Sequence, residues 1–163
     1  MSEERTYVDA SQMALLEEFK RHIRMTTDDM DVDLLLTLKA AARSAEHHIG
    51  KVILRSRFVV TCPFVPTVTL KSPDPTVLGL EVDGREVEGY TLDGRQLNVP
   101  QNVTGGTTMT ITYEVGYRQI PPDIKKAIFL HATSLFNNPA NSVQLLTTAS
   151  QILLRPYRSW GLD

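Results

Sequence analysis

The hydrophobic residues of this chain change period twice, from helical to strand-like and back, and this pattern limits the fold more than any other feature. From about residue 11 to 50 they recur every three or four positions, as in amphipathic helices. From about 51 to 117 strand-forming residues and turn signals dominate, and from 121 to 154 the helical spacing returns. The sequence therefore predicts an α+β fold, mostly helical, with two N-terminal helices, a central β-rich insertion with hairpins, and two C-terminal helices.

Polar and helix-terminating residues set the predicted helix ends. Ser11 is suited to cap the first helix, and Gly50 is suited to end the second because glycine adopts the left-handed conformation easily. The third helix is expected to begin at Pro121–Pro122–Asp123, since proline is tolerated in a first turn, and to end at 137–139. A last amphipathic helix is predicted at about 143–154, ending before Pro156.

Two Asp-Gly pairs predict tight hairpin turns in the insertion. Asp83–Gly84 and Asp93–Gly94 lie in similar hexads, at 82–87 and 92–97, with strand-forming flanks. We interpret them as one turn chemistry used twice and not as a structural repeat. Further along, every second residue from Met109 to Val115 is apolar, which is typical of a half-buried strand.

Composition and charge exclude several classes of protein. The 163 residues match one ordinary domain, and no low-complexity linker divides them, so residues 1–163 are predicted to form a single domain. The net charge of −2, from 17 basic and 19 acidic residues, argues against tight, charge-driven binding to nucleic acid. The single cysteine, Cys62, excludes an internal disulfide and fits a reducing compartment. A polar, acidic start and the lack of long apolar runs predict neither a secretory signal nor a membrane span.

An acidic stretch before the second helix resembles a calcium loop but fails at the positions that define one. Asp29, Asp31 and Asp33 have the spacing of EF-hand ligands, yet Leu34 stands where the loop needs glycine and Ala40 where it needs glutamate. We interpret these carboxylates as residues at a helix start, where the helix dipole favours negative charge.

The residues that most often carry catalysis do not form a recognisable constellation. His47–His48 point about 100° apart on a helix and are interpreted as helix-end histidines. His131 lies on the apolar side of the third helix and is predicted to be a satisfied core or interface histidine. Cys62 is predicted to be a small buried hydrophobe, because no activating base is visible near it. We therefore expect no enzyme, no cofactor and no metal. The densest basic group is expected on a solvated strand face; it comprises Lys51, Arg55 and Arg57.

Taken in order, the segments resemble the head–tail connector (adaptor) family of tailed phages and prophages, the gp6-like and gp15-like proteins. The resemblance covers about Glu17 to Tyr157. Its most recognisable part is the segment from Ile111 to Tyr117 followed by that from Ile120 to Ile128. The other pieces are 19–24 with Asp28–Asp29, 34–42 with Glu46 and Ile49–Gly50, Val68–Leu70, 82–84, 90–93 and 153–158.

The resemblance implies a structural role in the virion and no enzymatic activity. Such proteins form a ring, typically of twelve subunits, below the portal protein, and the ring extends the DNA channel. They also dock a downstream stopper or tail protein, and double-stranded DNA passes through without specific binding. The expected location is the virion, and the bacterial cytoplasm during assembly.

A ring requires two different complementary faces on each subunit. For one face the sequence suggests the alanine-rich side of the second helix and exposed parts of the third. Residues at the hairpins are candidates for contact with a neighbour or for lining the channel: Asp83, Gly84, Arg85, Asp93, Gly94 and Arg95. Residues of the C-terminal tail, 155–163, are candidates for contact with the portal, as the resemblance implies: Arg155, Tyr157, Arg158, Trp160 and Leu162. The alternative for Trp160 is packing on its own domain.

Three other functions stay open at this point. The first is a different virion-completion protein, such as a stopper or tail-completion protein. The second is a small DNA-binding accessory protein, which would bind duplex DNA in a salt-dependent way. The third is an enzyme that uses His131 or Cys62.

Overall fold

The computed structural model describes residues 1–103, 105–138 and 146–159, apart from the side chain of Asp9, and in these ranges the α+β prediction is confirmed. The α-helices are α1 Asp9–Ile23, α2 Asp31–Ile49, α3 Pro122–Asn137 and α4 Thr148–Leu154, and a 3₁₀ turn follows at Arg155–Tyr157. The strands are β1 Ser2–Tyr7, β2 Ser56–Pro63, β3 Thr67–Thr69, β4 Thr76–Val82, β5 Arg85–Glu86, β6 Thr91–Asp93, β7 Gln96–Asn98 and β8 Thr108–Val115.

The chain divides into two compact units. The β-unit comprises Met1–Val8 and Arg55–Arg118, and the helical unit comprises Asp9–Leu54 and Gln119–Asp163. The N-terminal residues therefore belong to the same unit as the predicted β-rich insertion, and the two predicted helical pairs form the other unit. The proposal of one domain over 1–163 is not tested by this division and stays a prediction.

The β-unit is built from two antiparallel sheets. The larger has the strand order β1-β2-β8-β4-β5, and the smaller has the order β3-β7-β6. The alternation predicted for β8 is confirmed, because Met109, Ile111, Tyr113 and Val115 are buried. Tyr113 also stacks on the ring of Phe58 from β2, with ring centroids 5.6 Å apart.

Strand β1 was not predicted from the sequence. It pairs with β2 along its whole length, from Ser2 opposite Thr61 to Tyr7 opposite Ser56. Most of its side chains are exposed, so it has no hydrophobic period that a sequence pattern could reveal. The Arg5 guanidinium lies over the Tyr7 ring, and its Nε donates to Ser56 Oγ at 3.0 Å.

In the helical unit, α2 packs mainly on α3, and α3 on α4. The Phe19 ring of α1 meets the Phe129 ring of α3 at 5.4 Å. The alanine-rich side of α2 is buried inside the subunit, since Ala41, Ala42 and Ala45 are almost fully covered. The prediction that these alanines offer a face to a neighbouring copy is therefore wrong. Their small side chains instead allow close packing within the unit.

Most predicted helix ends agree with the structure, and two need correction. Gly50 ends α2 with a positive φ of 70°, and Pro121 and Pro122 begin α3. Helix α1 begins at Asp9 and not after a Ser11 cap. Helix α4 begins at Thr148, because the Thr147 hydroxyl accepts from the Ser150 amide and caps it. Residues 143–145 of the predicted helix lie outside the described residues.

The two hairpin turns use the Asp-Gly pair differently. In the β4–β5 turn Asp83 and Gly84 are the two central residues, both with positive φ (49° and 74°) as a type I′ turn requires. In the β6–β7 turn Asp93 pairs with Gln96, so the central residues are Gly94 and Arg95. The prediction of an Asp-Gly turn is confirmed for the first hairpin and is off by one residue for the second.

Candidate functional site

The C-terminal segment folds back on the end of α2. The Ser159 amide and hydroxyl both donate to the Ile49 carbonyl oxygen, at 3.0 and 2.9 Å. This carbonyl belongs to the last turn of α2, where intrahelical donors run out. Ser159 therefore satisfies an orphan acceptor.

Gly50 makes this close approach possible. A Cβ atom added at Gly50 would lie 2.8 Å from Ser159 Oγ, nearer than real Cβ contacts come. The positive φ of Gly50 is also a conformation that other residues adopt only at a cost. The glycine at the end of α2 thus serves both the helix end and the docking of the tail.

We expect Gly50→Ala to lower the free energy of unfolding by about 1–2 kcal/mol, because alanine is strained at positive φ. It should also weaken the Ser159 contact, which makes the C-terminal segment more sensitive to proteases. Chemical denaturation and limited proteolysis measure the two effects. Gly79→Ala is the matched control, since its φ is not positive and nothing lies within 4 Å of the added Cβ. Equal stability of the two variants would contradict this account of Gly50.

Beside the tail lies a cleft of about 350 Å³, which we call the basic cleft. Its lining residues are His48, Thr148, Gln151, Ile152, Arg155 and Arg158. Ile152 is 66% exposed, which is unusual for a large aliphatic side chain. Both arginines are exposed as well. The cleft therefore combines apolar surface with positive charge, a combination suited to binding an acidic, apolar partner surface.

The structure places three of the five predicted tail residues. Arg155 and Arg158 line the basic cleft. Tyr157 is half-buried, and its hydroxyl donates to Asp123 Oδ2 at 3.5 Å; burial and the nearby Asp123 carboxylate raise the pKa of this phenol. Trp160 and Leu162 lie outside the described residues.

A buried carboxylate holds the chain that follows α2. Glu46 Oε1 accepts from the amides of Ile53 and Leu54, at 2.8 and 3.3 Å. Its other oxygen lies 3.4 Å from Nη1 of Arg43. Sequence reasoning named Glu46 only as part of the resemblance and missed this role. No local pattern signals it, because the two amides are seven and eight residues away.

The first predicted hairpin turn is tied to the strand beside it through Asp83. Its carboxylate accepts from the amides of Thr107 and Thr108, with the shortest bond 2.8 Å long. These backbone donors lower the pKa of Asp83 below its usual value. Arg85 and the residues Asp93 and Gly94 of the other hairpin are exposed, and Arg95 is half-buried. Their contact with a neighbour or with the channel stays a prediction.

We expect Asp83→Asn to speed hydrogen exchange at the amides of Thr107 and Thr108, because the variant loses the charge on the acceptor. In the wild type the same loss should occur on acidification. The pKa of Asp83 is lowered in the folded chain. The ionised carboxylate therefore stabilises the turn fully above the ordinary pKa of an aspartate, and this stabilisation disappears as the pH falls through the lowered pKa. Asp93→Asn should leave these two amides protected. Exchange rates that do not differ between the two variants would count against the tether.

The acidic residues and histidines form no metal site in the part of the chain that the structure describes. Asp31 and Asp33 occupy the first turn of α2, as predicted. Lys20 forms ion pairs with Asp28 and with Asp31, and both carboxylates raise the pKa of its ammonium. His47 and His48 lie in the last turn of α2, as predicted.

His131 is buried, at 2% exposure, and neither ring nitrogen has a hydrogen-bond partner among the described residues. The prediction of a core position is confirmed, but the prediction that its nitrogens are satisfied is not. Burial lowers the pKa of this imidazole.

Cys62 lies on β2 opposite Met109 and is half-buried. The prediction of a fully buried cysteine is therefore wrong.

Two residues of the predicted basic group, Arg55 and Arg57, lie in the β-unit, whereas Lys51 is half-buried in the helical unit. Arg55 is 14% exposed, and its guanidinium donates to the carbonyls of Asp74 and Gly116 and to the Thr76 hydroxyl. The prediction of a solvated position is therefore wrong for Arg55. Arg57 is exposed and pairs with Glu114 at 3.0 Å.

Among the helices within the described ranges, none has the length and hydropathy that a bilayer crossing requires. No protein-family model matches the sequence, and no curated protein matches it.

Solved structures, however, share the fold over almost the whole chain. Three of them come from gene transfer agent (GTA) particles. A chain in the neck of the empty particle, computed with C6 symmetry, superposes with a TM-score of 0.76 at 20% identity, covering 98% of this chain and 96% of that one. A chain in the neck of the native particle, computed with C12 symmetry, gives 0.73 at 20% identity, covering 96% of each. A chain of the native virion gives 0.71 at 19% identity, covering 96% and 95%.

Proposed function

We propose that this protein is a non-enzymatic structural subunit of the neck of a tailed-phage-like particle. The observation that carries the proposal is the shared fold, which extends over 98% of this chain and 96% of a neck chain. Nearly complete coverage in both directions leaves no large element of either chain unmatched. The order of segments that resembles the connector family supports the same role independently of the fold.

In this proposal the subunits form a ring, of twelve copies in the particle, located below the portal. The similar chains come from necks computed with C6 and C12 symmetry, which supports a closed ring. The ring extends the DNA channel and docks a downstream stopper or tail protein. A net charge of −2 suits a wall that duplex DNA passes without binding.

The C-terminal tail is the proposed contact with the portal. Ser159 binds the tail to the end of α2. Of the five predicted tail residues, we assign the portal contact to Tyr157, Trp160 and Leu162, since Arg155 and Arg158 line the basic cleft. Aromatic residues of this kind contribute strongly at interfaces. The proposed location is the virion, with assembly in the bacterial cytoplasm.

A truncation tests the role of the tail without removing its attachment. A chain that ends at Ser159 keeps both hydrogen bonds to Ile49, so its helical unit should unfold like the wild type. We expect it to bind a portal protein from the same particle more weakly in a pull-down or by surface plasmon resonance, because Trp160 and Leu162 are removed while Tyr157 remains. Undiminished portal binding by this truncated chain would refute the tail contact while leaving ring formation open.

A further inference from the structure

One end of α2 carries an exposed patch that is both apolar and acidic. Val32 is 83% exposed and Leu36 is 68% exposed, and the two lie one turn apart on the same side of the helix. Asp29 and Asp33 are exposed beside them. We call these four residues the acidic patch. Large aliphatic side chains this exposed, and side by side, are typical of a contact surface.

The basic cleft lies at the other end of the same helix. His48, which lines it, follows Val32 by sixteen positions, so the two are about 24 Å apart along the axis of α2. Both surfaces belong to the helical unit. Each presents exposed aliphatic side chains beside charged ones, which are acidic in the acidic patch and basic in the basic cleft.

A head-to-tail contact between identical subunits needs two different surfaces that complement each other. The acidic patch and the basic cleft do so, because their charges are opposite and both include exposed aliphatic side chains. A ring is built from such heterologous contacts, in which one surface of a copy binds a different surface of the next. A partner for the acidic patch needs a surface that is both basic and apolar. The basic cleft of this same chain is such a surface. The charge complementarity therefore favours a second copy as the occupant.

We propose that the acidic patch of one copy docks into the basic cleft of the next copy. Val32 and Leu36 cover Ile152, while Asp29 and Asp33 face Arg155 and Arg158. The two contacts then lie at opposite ends of α2. This assignment rests on the proposed ring, and it uses no residue beyond Ser159.

Site-directed cross-linking tests the pairing directly. In a Cys62→Ser background, one preparation carries Leu36→Cys and a second carries Ile152→Cys. The two are mixed at high concentration with a short bismaleimide, and covalent dimers are resolved by denaturing electrophoresis. The matched control replaces the second preparation by Lys126→Cys, an exposed position on α3. We expect many more dimers from the 36–152 mixture than from the 36–126 mixture or from either protein alone. The yield should fall with salt because screening weakens the charge pairs.

A charge exchange provides the second measurement. Asp33→Arg places like charges in the contact and should weaken self-association, measured by sedimentation velocity, by at least about tenfold. Mixing it with Arg155→Glu should restore association between the two variants, although each associates poorly with itself. Neither residue is buried, so both variants should fold.

The outcomes separate this inference from the proposed function. Rings or higher oligomers of the wild type without 36–152 dimers would overturn the docking assignment and leave the ring intact. Absence of self-association, alone and with a portal protein, would overturn both. Preferential 36–152 dimers together with rescue by charge exchange would support the assignment.

Discussion

Glu46→Ala is expected to lower the free energy of unfolding of the helical unit by about 2–4 kcal/mol. The carboxylate is 8% exposed and accepts from the amides of Ile53 and Leu54, which alanine cannot do. Hydrogen bonds to a charged acceptor contribute about 1.5–3 kcal/mol, and a buried amide left without an acceptor costs about 1–3 kcal/mol. Urea denaturation followed by far-ultraviolet circular dichroism measures the loss.

Glu46→Gln is the matched control for this prediction. Glutamine keeps an oxygen where Oε1 accepts from the two amides, but it lacks the negative charge. We expect it to lose about 1 kcal/mol, clearly less than the alanine variant. If both variants unfold like the wild type, the segment after α2 does not depend on this carboxylate. Equal, large losses would assign the effect to the charge facing Arg43.

The second large effect is a dependence of stability on pH that His131 creates. The imidazole is buried, and its folded pKa is below the ordinary value of about 6.5. As the pH is lowered, the unfolded chain therefore binds a proton at this residue at a higher pH than the folded chain does. His131 leaves the free energy of unfolding unchanged above pH about 6.5. Below that pH it lowers this free energy by at most about 1.4 kcal/mol per pH unit.

We expect His131→Leu to flatten the stability profile between pH 7 and pH 5 relative to the wild type. Other titrating groups, including His22, are present in both proteins, so the difference between the two slopes isolates His131. Identical slopes for the wild type and His131→Leu would mean that His131 binds a proton as readily in the folded chain as in the unfolded chain, which would contradict a lowered folded pKa.

Strongly periodic elements could be predicted from the sequence because local patterns determine them. The run from Leu34 to Ile49 gives α2, and the alternation from Met109 gives β8. Gly50 and Pro122 mark helix ends through their own backbone preferences. These residues carry their structural signal within a few positions of the chain.

The features that were missed depend on residues far apart in the sequence. Strand β1 is stabilised by pairing with β2, about fifty residues later, and its side chains show no period. The burial of Ala41, Ala42 and Ala45 depends on α3 packing on α2, so the sequence could not tell an internal face from an external one. The basic cleft likewise combines His48 with residues a hundred positions later.

Within the candidate site, the sequence identified residue types better than it identified their roles. It selected Arg155, Tyr157 and Arg158 as contact residues, and the structure places the two arginines together with Ile152 in one cleft. It did not single out Ile152, Val32 or Leu36, because an apolar residue on an amphipathic helix is normally expected to be buried. Only their exposure in the folded chain marks them as surface features.

Native mass spectrometry of the purified protein, with negative-stain imaging of the same sample, tests the central claim most directly. The protein should be measured at high concentration, alone and mixed with a portal protein from the same particle. We predict a closed ring in at least one of the two conditions, with twelve copies when the portal is present. A strictly monomeric protein in both conditions would contradict the assignment of this chain to the neck ring.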